Sequence, residues 1–515
     1  YLCSGAAWER MREAVREHKI NRLVTGACTP YLDVLLNSRM AKEIDLNPSF
    51  IQTVNLREQV AWVHRDEPEK ATEKAKSLVA MAIERAKSQE FPPLSSTNIT
   101  PRALVIGSGL AGLTAALNIA QQGFEVHLVE KSPELGGNLR HVYYTLEGGE
   151  ARALLKGVIS QVRENHLIHL YLESEVVDVS GYAGNFKVSL RDKDSRLHYL
   201  EVGAVIVATG GGEYRPTEYL HGQNKQVITQ RELEERLSTN KLDPLSLKSV
   251  VMIQCVGSRD KERPYCSRLC CSQALKNALR LKETNPEVAV SILYRDMMSY
   301  GFKEEYYTQA REKGVNFIRY ELDNKPEVKE EGNRLAVEVA EPVLGGKLKL
   351  EPDLVVLSPA IIPNDNAPLA RILGVELTED GFFQEAENKF RPVDFLIEGV
   401  FVCGLAHSPR GVAESIVQAQ AAAWRAVSIL ARGQLVSGKA VSEIIQRQCS
   451  KCEQCVRVCP YGARVKDEES DEVMVREALC QGCGACVVAC PSGAAKLRGF
   501  KEKQVFSLLD AAFSR

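Results

Sequence analysis

The chain has 515 residues, 44% of them hydrophobic and 26% charged, the composition of a globular, core-forming protein with room for roughly two to four domains. A net charge of −2 offers no basic field to a phosphate backbone, and no apolar run approaches the ~20 residues of a membrane helix, so neither nucleic acid nor membrane is an expected partner. The fifteen cysteines fall mostly into metal-ligand patterns rather than a disulfide framework, which points to a reducing cytoplasm, that of an anaerobe.

The chain opens on Tyr1 with neither the basic start nor the apolar stretch of a signal peptide, and reads as lacking some upstream sequence. Residues 1–98 alternate short apolar strands, such as RLVTG, with helical patterns, such as ATEKAKSLVAMAIERAK, and end in the linker composition of SQEFPPLSSTNITP. This is a small α/β domain plus linker.

Residues 99–443 read as a longer α/β domain. In RALVIGSGLAGLTAALNIAQQGFEVHLVE, Gly107, Gly109 and Gly112 form G-x-G-x-x-G between an apolar strand and a helix, and Glu130 ends the next strand. The first glycine makes the tight turn, the second admits a pyrophosphate, the third packs helix on strand, and the acid binds a ribose hydroxyl. Two later stretches favour FAD over NAD. ELGGNLR resembles the second glycine pair of two-dinucleotide flavoproteins, and AVIVATGG resembles their strand-to-crossing segment. GVFVCGLAHSPRGVAESIVQAQAAA, 399–423, resembles their closing flavin motif, except that Leu405 stands where an acid usually follows the glycine. The candidate FAD contacts are Gly107, Gly109, Gly112, Glu130, Lys131, Gly136, Gly137, Asn138, Thr209, Gly210 and Gly404. Cys403 reads as a core residue.

A second dinucleotide fold, about 216–345, is expected between the flavin halves. Its strand is present in SVVMIQCVGSRD, yet where a nicotinamide glycine loop belongs there is only Gly257, among Cys255, Cys266, Cys270 and Cys271. The spacing C-x10-C-x3-C-C can close around a [4Fe–4S] cluster, with Cys266 and Cys270 on one helical face. Four thiolates also satisfy zinc, and free or buried thiols are the plainer alternative.

Residues 444–515 carry two C-x2-C-x2-C-x3-C-P runs, the bacterial two-cluster ferredoxin pattern, in which the fourth cysteine of each run serves the other cluster. Cluster one should use Cys449, Cys452, Cys455 and Cys490, and cluster two Cys480, Cys483, Cys486 and Cys459. The acidic DEESDE between them reads as a solvated loop.

The phrases INRLVTGACTP, NLREQVAWVH, CVGSRD, YCSRLCCSQALKNA and YGFKEEYYTQAREKGVNFIRY resemble the A subunit of heterodisulfide reductase, and the resemblance spans nearly the whole chain. It implies an α/β, thioredoxin-reductase-like flavoprotein core with a small N-terminal α/β domain and a C-terminal two-cluster ferredoxin domain. It further implies FAD as a site of electron bifurcation, a cluster on Cys255, Cys266, Cys270 and Cys271 beside the flavin, and Lys276 as a catalytic lysine near the flavin ring. A surface lysine is the plain reading of Lys276. Three [4Fe–4S] clusters are expected. Cys3 and Cys28 match family cysteines, but two thiols do not complete a fourth. No cysteine occurs between about 140 and 200, so the ferredoxin-like insertion of longer members is missing. The implied partners are B and C subunits, a hydrogenase- or formate-dehydrogenase-linked donor and ferredoxin, in a dimer of complexes. The implied activity is that of an oxidoreductase component passing electrons between donor, FAD and clusters. The alternatives are a non-bifurcating relay and scaffold, or an NAD(P)H-dependent iron–sulfur flavoprotein.

Overall fold

Two parallel sheets built from buried, β-branched runs organise the middle of the chain. The first has the strand order Val400–Val402, Ala204–Val207, Arg102–Ile106, Glu125–Val129 and Ile168–Tyr171. The run Ala204–Val207 is buried throughout, as strands covered on both faces must be. The three-stranded antiparallel sheet Ser174–Tyr182, Asn185–Asp192 and Leu197–Val202 joins the same core through Val176, Val188 and Leu190. The second parallel sheet repeats the plan, in the order Val227–Thr229, Leu354–Pro359, Ser249–Val256, Ala289–Tyr294 and Asn316–Arg319, with its own antiparallel sheet over 327–350. An antiparallel pair, Gly211–Glu213 with Ile361–Pro363, links the two halves.

This computed structural model describes residues 4–28, 40–89, 95–332, 334–341, 345–389, 391–437 and 441–513. Its second dinucleotide fold runs to Pro359, past the expected end near 345. After the antiparallel excursion the chain returns as Leu354–Pro359, which pairs with Ser249–Val256 near the sheet's centre. The chain separates into 98–433 and a second unit that combines 1–97 with 434–515. In that second unit the helix Glu502–Phe513 packs on the helix Pro68–Ser88. Gln504 Nε2 donates to the Ser88 carbonyl at 2.9 Å, and the Arg85 guanidinium lies 4.9 Å from the centre of the Phe500 ring. Among the described residues no helix is long and apolar enough to cross a membrane.

The helix Cys270–Thr284 positions much of the candidate site. Ala274, Leu275, Ala278, Leu279 and Leu281 are buried in the core that holds Val250, Met252 and Ile292 of the second sheet. Each fully buried leucine there contributes about 2 kcal/mol. Cys270 and Cys271 begin the same buried stripe at i, i+4 spacing, so the hydrophobic anchoring of the helix fixes both thiols.

Candidate functional site

A cavity of about 630 Å³ opens within 98–433, a volume usual for a small-molecule or cofactor site. One wall is the glycine turn after Arg102–Ile106. Gly107 has φ +104°, and a Cβ there would meet the Ala208 carbonyl oxygen at 2.4 Å. A Cβ on Gly112 would stand 1.8 Å from the Gly107 carbonyl oxygen, so the helix Leu110–Gln121 can approach only as glycine. Gly109 and Gly210 have nothing within 4 Å of a Cβ position and line the cavity, leaving the space a pyrophosphate needs.

Glu130 lines the cavity with both oxygens engaged. Oε2 accepts from Ser108 N and Oγ at 2.8 and 2.6 Å, and Oε1 from Ser132 N and Oγ at 2.8 Å each. Burial raises its pKa, but these hydrogen bonds outweigh it and hold the carboxyl below its usual value. Gly137, Asn138, Thr209 and Gly404 are also in the lining, with Asn138 Nδ2 donating to the Gly211 carbonyl at 2.6 Å. Gly136 and Lys131 are not in it. Gly136 takes a left-handed turn against Leu155, and Lys131 is exposed. Leu405 lines the cavity in the place of the expected acid, and Cys403 is fully buried, its thiol pushed up to about 12 by burial.

The lining also takes in Leu269 and the start of the cysteine-bearing helix, through Ser272, Gln273 and Lys276. Lys276 is 8% exposed, not a surface lysine. Its Nζ lies 2.7 Å from Glu234 Oε2 and donates to the Tyr144 carbonyl at 2.7 Å. Burial lowers its pKa, and the Glu234 charge opposes that. Glu234, itself 2% exposed, also accepts from the Tyr143 backbone N–H at 2.6 Å. The Tyr144 hydroxyl donates to Asn277, whose amide donates to Gln230. Nothing in the local sequence marks Glu234, because its partner is 42 positions away on another helix.

Cys255, one residue before the end of its strand, lies within a register shift and has φ +59°, a left-handed conformation that bulges tolerate and that stores strain near functional sites. Burial and the neighbouring Cys271 push its thiol up to about 11, and Cys266 adds to the rise. The Cys270 thiol is hydrogen-bonded to Cys271, which holds Cys270 high and Cys271 low. The four sulfurs therefore share one neighbourhood. The expected helical face for Cys266 and Cys270 is corrected. The helix starts only at Cys270, because Arg268 takes φ +58° and turns the chain, leaving Cys266 in the preceding loop, where its sulfur accepts from Arg268 N at 3.3 Å. Arg268 continues to Glu414 at 2.6 Å, which joins this loop to the start of the helix Val412–Leu430 on the cavity's rim.

In the second unit, a pocket is lined by Cys459, Cys480, Cys483 and Cys486, one of the two crossed sets expected from the spacing. Ser442 N donates to Cys480 Sγ at 3.4 Å, and Ser442 Oγ lies 3.2 Å from Cys486 Sγ. Of the other set, Cys455 is buried, and its thiol is raised by burial, lowered by Arg464, and raised by Cys490 and Cys449. Cys452 is exposed. Among the described residues no three Cys, His, Asp or Glu side chains converge on a single-ion site. A four-iron cluster instead takes each thiolate on a separate iron, so sulfurs spaced around a pocket fit it. Cys28 is half-buried, and Cys3 lies outside the described residues.

Residues 101–253 match the family model described as pyridine nucleotide-disulphide oxidoreductase, and 448–494 match the 4Fe-4S dicluster domain. The chain is similar to an iron-sulfur A subunit of the CoB--CoM heterodisulfide reductase of Methanopyrus kandleri, 34% identical over 559 residues that cover 90% of this chain and 85% of that one. The iron-sulfur A subunit of the CoB--CoM heterodisulfide reductase of Methanocaldococcus jannaschii is 33% identical over 609 residues, 99% of this chain and 92% of that one. Among solved structures, a thioredoxin reductase of Lactococcus lactis shares 17% identity with a TM-score of 0.45, covering 64% of this chain and 99% of that one.

Proposed function

The chain belongs to the family of heterodisulfide reductase A subunits, as an oxidoreductase that binds FAD and [4Fe–4S] clusters, and from that premise we propose that it is the electron-distributing component of a larger redox complex. The observation that carries this reading is one cavity whose walls are a dinucleotide-binding glycine turn and a helix that begins with two cysteines. FAD bound there supplies exchange of an electron pair on one side and of single electrons on the other. The division of that pair between acceptors of different potential is bifurcation. A Methanococcus maripaludis relative is named as the A subunit of an H(2)/formate:CoB-CoM heterodisulfide,ferredoxin reductase, and that name suggests a hydrogen- or formate-linked donor with heterodisulfide and ferredoxin as acceptors, while the family resemblance adds B and C subunits as partners. The family resemblance also supports a dimer of such complexes in the cytoplasm.

In this reading the residues divide the work. Gly107 and Gly109 hold the pyrophosphate, Glu130 the ribose, and Asn138, Thr209, Gly210 and Gly404 the remainder of FAD. Lys276 presents an ammonium to the flavin ring, and Glu234 keeps that ammonium charged and in place. Cys255, Cys266, Cys270 and Cys271 hold a cluster where a nicotinamide loop would otherwise stand. The eight ferredoxin cysteines hold two more.

The test is the iron, sulfide and flavin content of anaerobically purified protein beside its Cys270→Ala/Cys271→Ala variant. About four irons fewer with FAD retained is the expected result. Unchanged iron would overturn the route from flavin to clusters. For bifurcation, the assembled complex should reduce ferredoxin only while the higher-potential acceptor is present, and uncoupled ferredoxin reduction would favour a plain relay.

A further inference from the structure

The two ferredoxin repeats are not equivalent around their sulfurs. Each position of the first has its counterpart 31 residues on, Cys449 to Cys480 and Cys459 to Cys490. The backbone follows the same offset. Ser442–Ile444 pairs with Ala495–Leu497 as Val473–Val475 pairs with Arg464–Lys466. By this symmetry Arg464 is the counterpart of Ala495, and Ser442 of Val473. One pocket therefore receives a guanidinium and a hydroxyl where the other receives two apolar side chains.

Arg464 is 2% exposed and among the largest fully buried side chains of the protein. It lines the pocket of Cys459, Cys480, Cys483 and Cys486 together with Ser442. One of its terminal nitrogens donates to Ser442 Oγ, to the Glu443 carbonyl at 3.3 Å and to Cys486 Sγ at 3.6 Å. Its Nε and the other terminal nitrogen are buried without a hydrogen-bond partner. No carboxylate is among its hydrogen-bond partners in the described residues, although a buried cation is costly without a counter-charge. A guanidinium is not deprotonated in proteins, so the deficit cannot be relieved by losing a proton. An anionic iron–sulfur cluster in the pocket supplies both the counter-charge and the acceptors.

We propose that Arg464, held by Ser442, makes cluster two the higher-potential member of the pair and so directs electrons onto it. This rests on the assignment of Cys459, Cys480, Cys483 and Cys486 as its ligands. One-electron reduction adds a negative charge to a cluster, and a buried cation with hydrogen bonds to its sulfurs favours the reduced state. Cluster one feels the Arg464 charge at Cys455 and takes a backbone hydrogen bond at Cys490, but among the described residues the guanidinium's hydrogen bond to a ligand sulfur goes to Cys486 of cluster two. In the transfer one electron leaves cluster one, which is oxidised, and enters cluster two, which is reduced. No bond or proton moves.

The experiment is an anaerobic redox titration of the full chain followed by electron paramagnetic resonance, with iron content measured on every sample. Cys459→Ala first identifies cluster two: its signal should vanish with about four irons, and if both ferredoxin signals persist, the ligand assignment fails rather than the role of Arg464. Arg464→Met should then lower the potential of that signal by at least tenfold in its equilibrium constant, about 59 mV for one electron, and move the other signal less. Arg464→Lys, which keeps the charge, should recover most of the shift. An unmoved cluster-two potential overturns the proposal, as does an equal or larger shift in the other signal. Should Arg464→Met not assemble the cluster, Ser442→Val decides: a downward shift supports the proposal and an unshifted potential sinks it.

Discussion

The Lys276–Glu234 pair is deeply buried beside the cavity that Lys276 lines, and its energetics can be separated from the redox role proposed for the lysine. Glu234→Gln keeps an acceptor for the Tyr143 N–H but removes the counter-charge, and a buried charge left unpaired costs about 3–5 kcal/mol. The sign of the pH dependence follows from the lysine. Burial holds its folded-state pKa below the unfolded value, so between the two the folded chain binds fewer protons, and stability rises with pH across that window. Without Glu234 the folded-state value falls further. The variant's deficit is therefore largest near neutral pH, where the wild-type lysine is charged, and shrinks as alkaline pH neutralises it. Urea unfolding at about pH 7 and about pH 10 checks this, and equal deficits at both would show that Glu234 acts only as a hydrogen-bond acceptor. Sequence reached Lys276 only through resemblance. Glu234 was illegible, because ion pairing between helices depends on tertiary packing and leaves no periodic mark.

At the scale of the element, the strand–turn–helix around Gly107 distinguishes two kinds of glycine. A methyl group on Gly112 collides with the Gly107 carbonyl oxygen, so Gly112→Ala must drive the helix off its strand, at a cost above the about 1–3 kcal/mol usual for overpacking. A methyl group on Gly109 meets no protein atom and projects into the cavity's space, so Gly109→Ala should lose less than about 1 kcal/mol, the scale of a helix-cap change. Both variants should purify with little absorbance from FAD, but only Gly112→Ala should also melt early. If Gly109→Ala retains FAD, the pyrophosphate does not pass that residue. This element was legible because G-x-G-x-x-G states its geometry in glycines. The cysteine loop was legible in its spacing but not in its shape. Arg268 at positive φ is invisible in sequence, since arginine carries no preference for that conformation, and it delays the helix by four positions, from Cys266 to Cys270.

Across the whole molecule, the two units differ in what holds them together. The unit 98–433 has large cores built on ten parallel strands. In the ferredoxin region the strands and the helices within the cysteine runs are three or four residues long, and the core cluster there has three buried members, two of them Cys455 and Cys486. Elements so short cannot bury enough apolar surface to offset chain entropy, so metal coordination must supply much of their folding free energy. In the proposed assignment both cluster sets also cross between repeats and tie the ends of the region together. Stripping the iron with a chelator in air should therefore expose 441–498 to trypsin, at Lys451, Arg457 and Arg464, while 98–433 stays protected and keeps its FAD. Peptide-resolved hydrogen exchange would give the same division. Loss of flavin in step with the ferredoxin clusters, rather than with the cluster proposed at Cys255, Cys266, Cys270 and Cys271, would mean that the folding of the two units is coupled. The N-terminal helix Pro68–Ser88 provides the internal control: it packs against Glu502–Phe513 rather than against any cluster ligand, so its protection should fall only where that packing is lost.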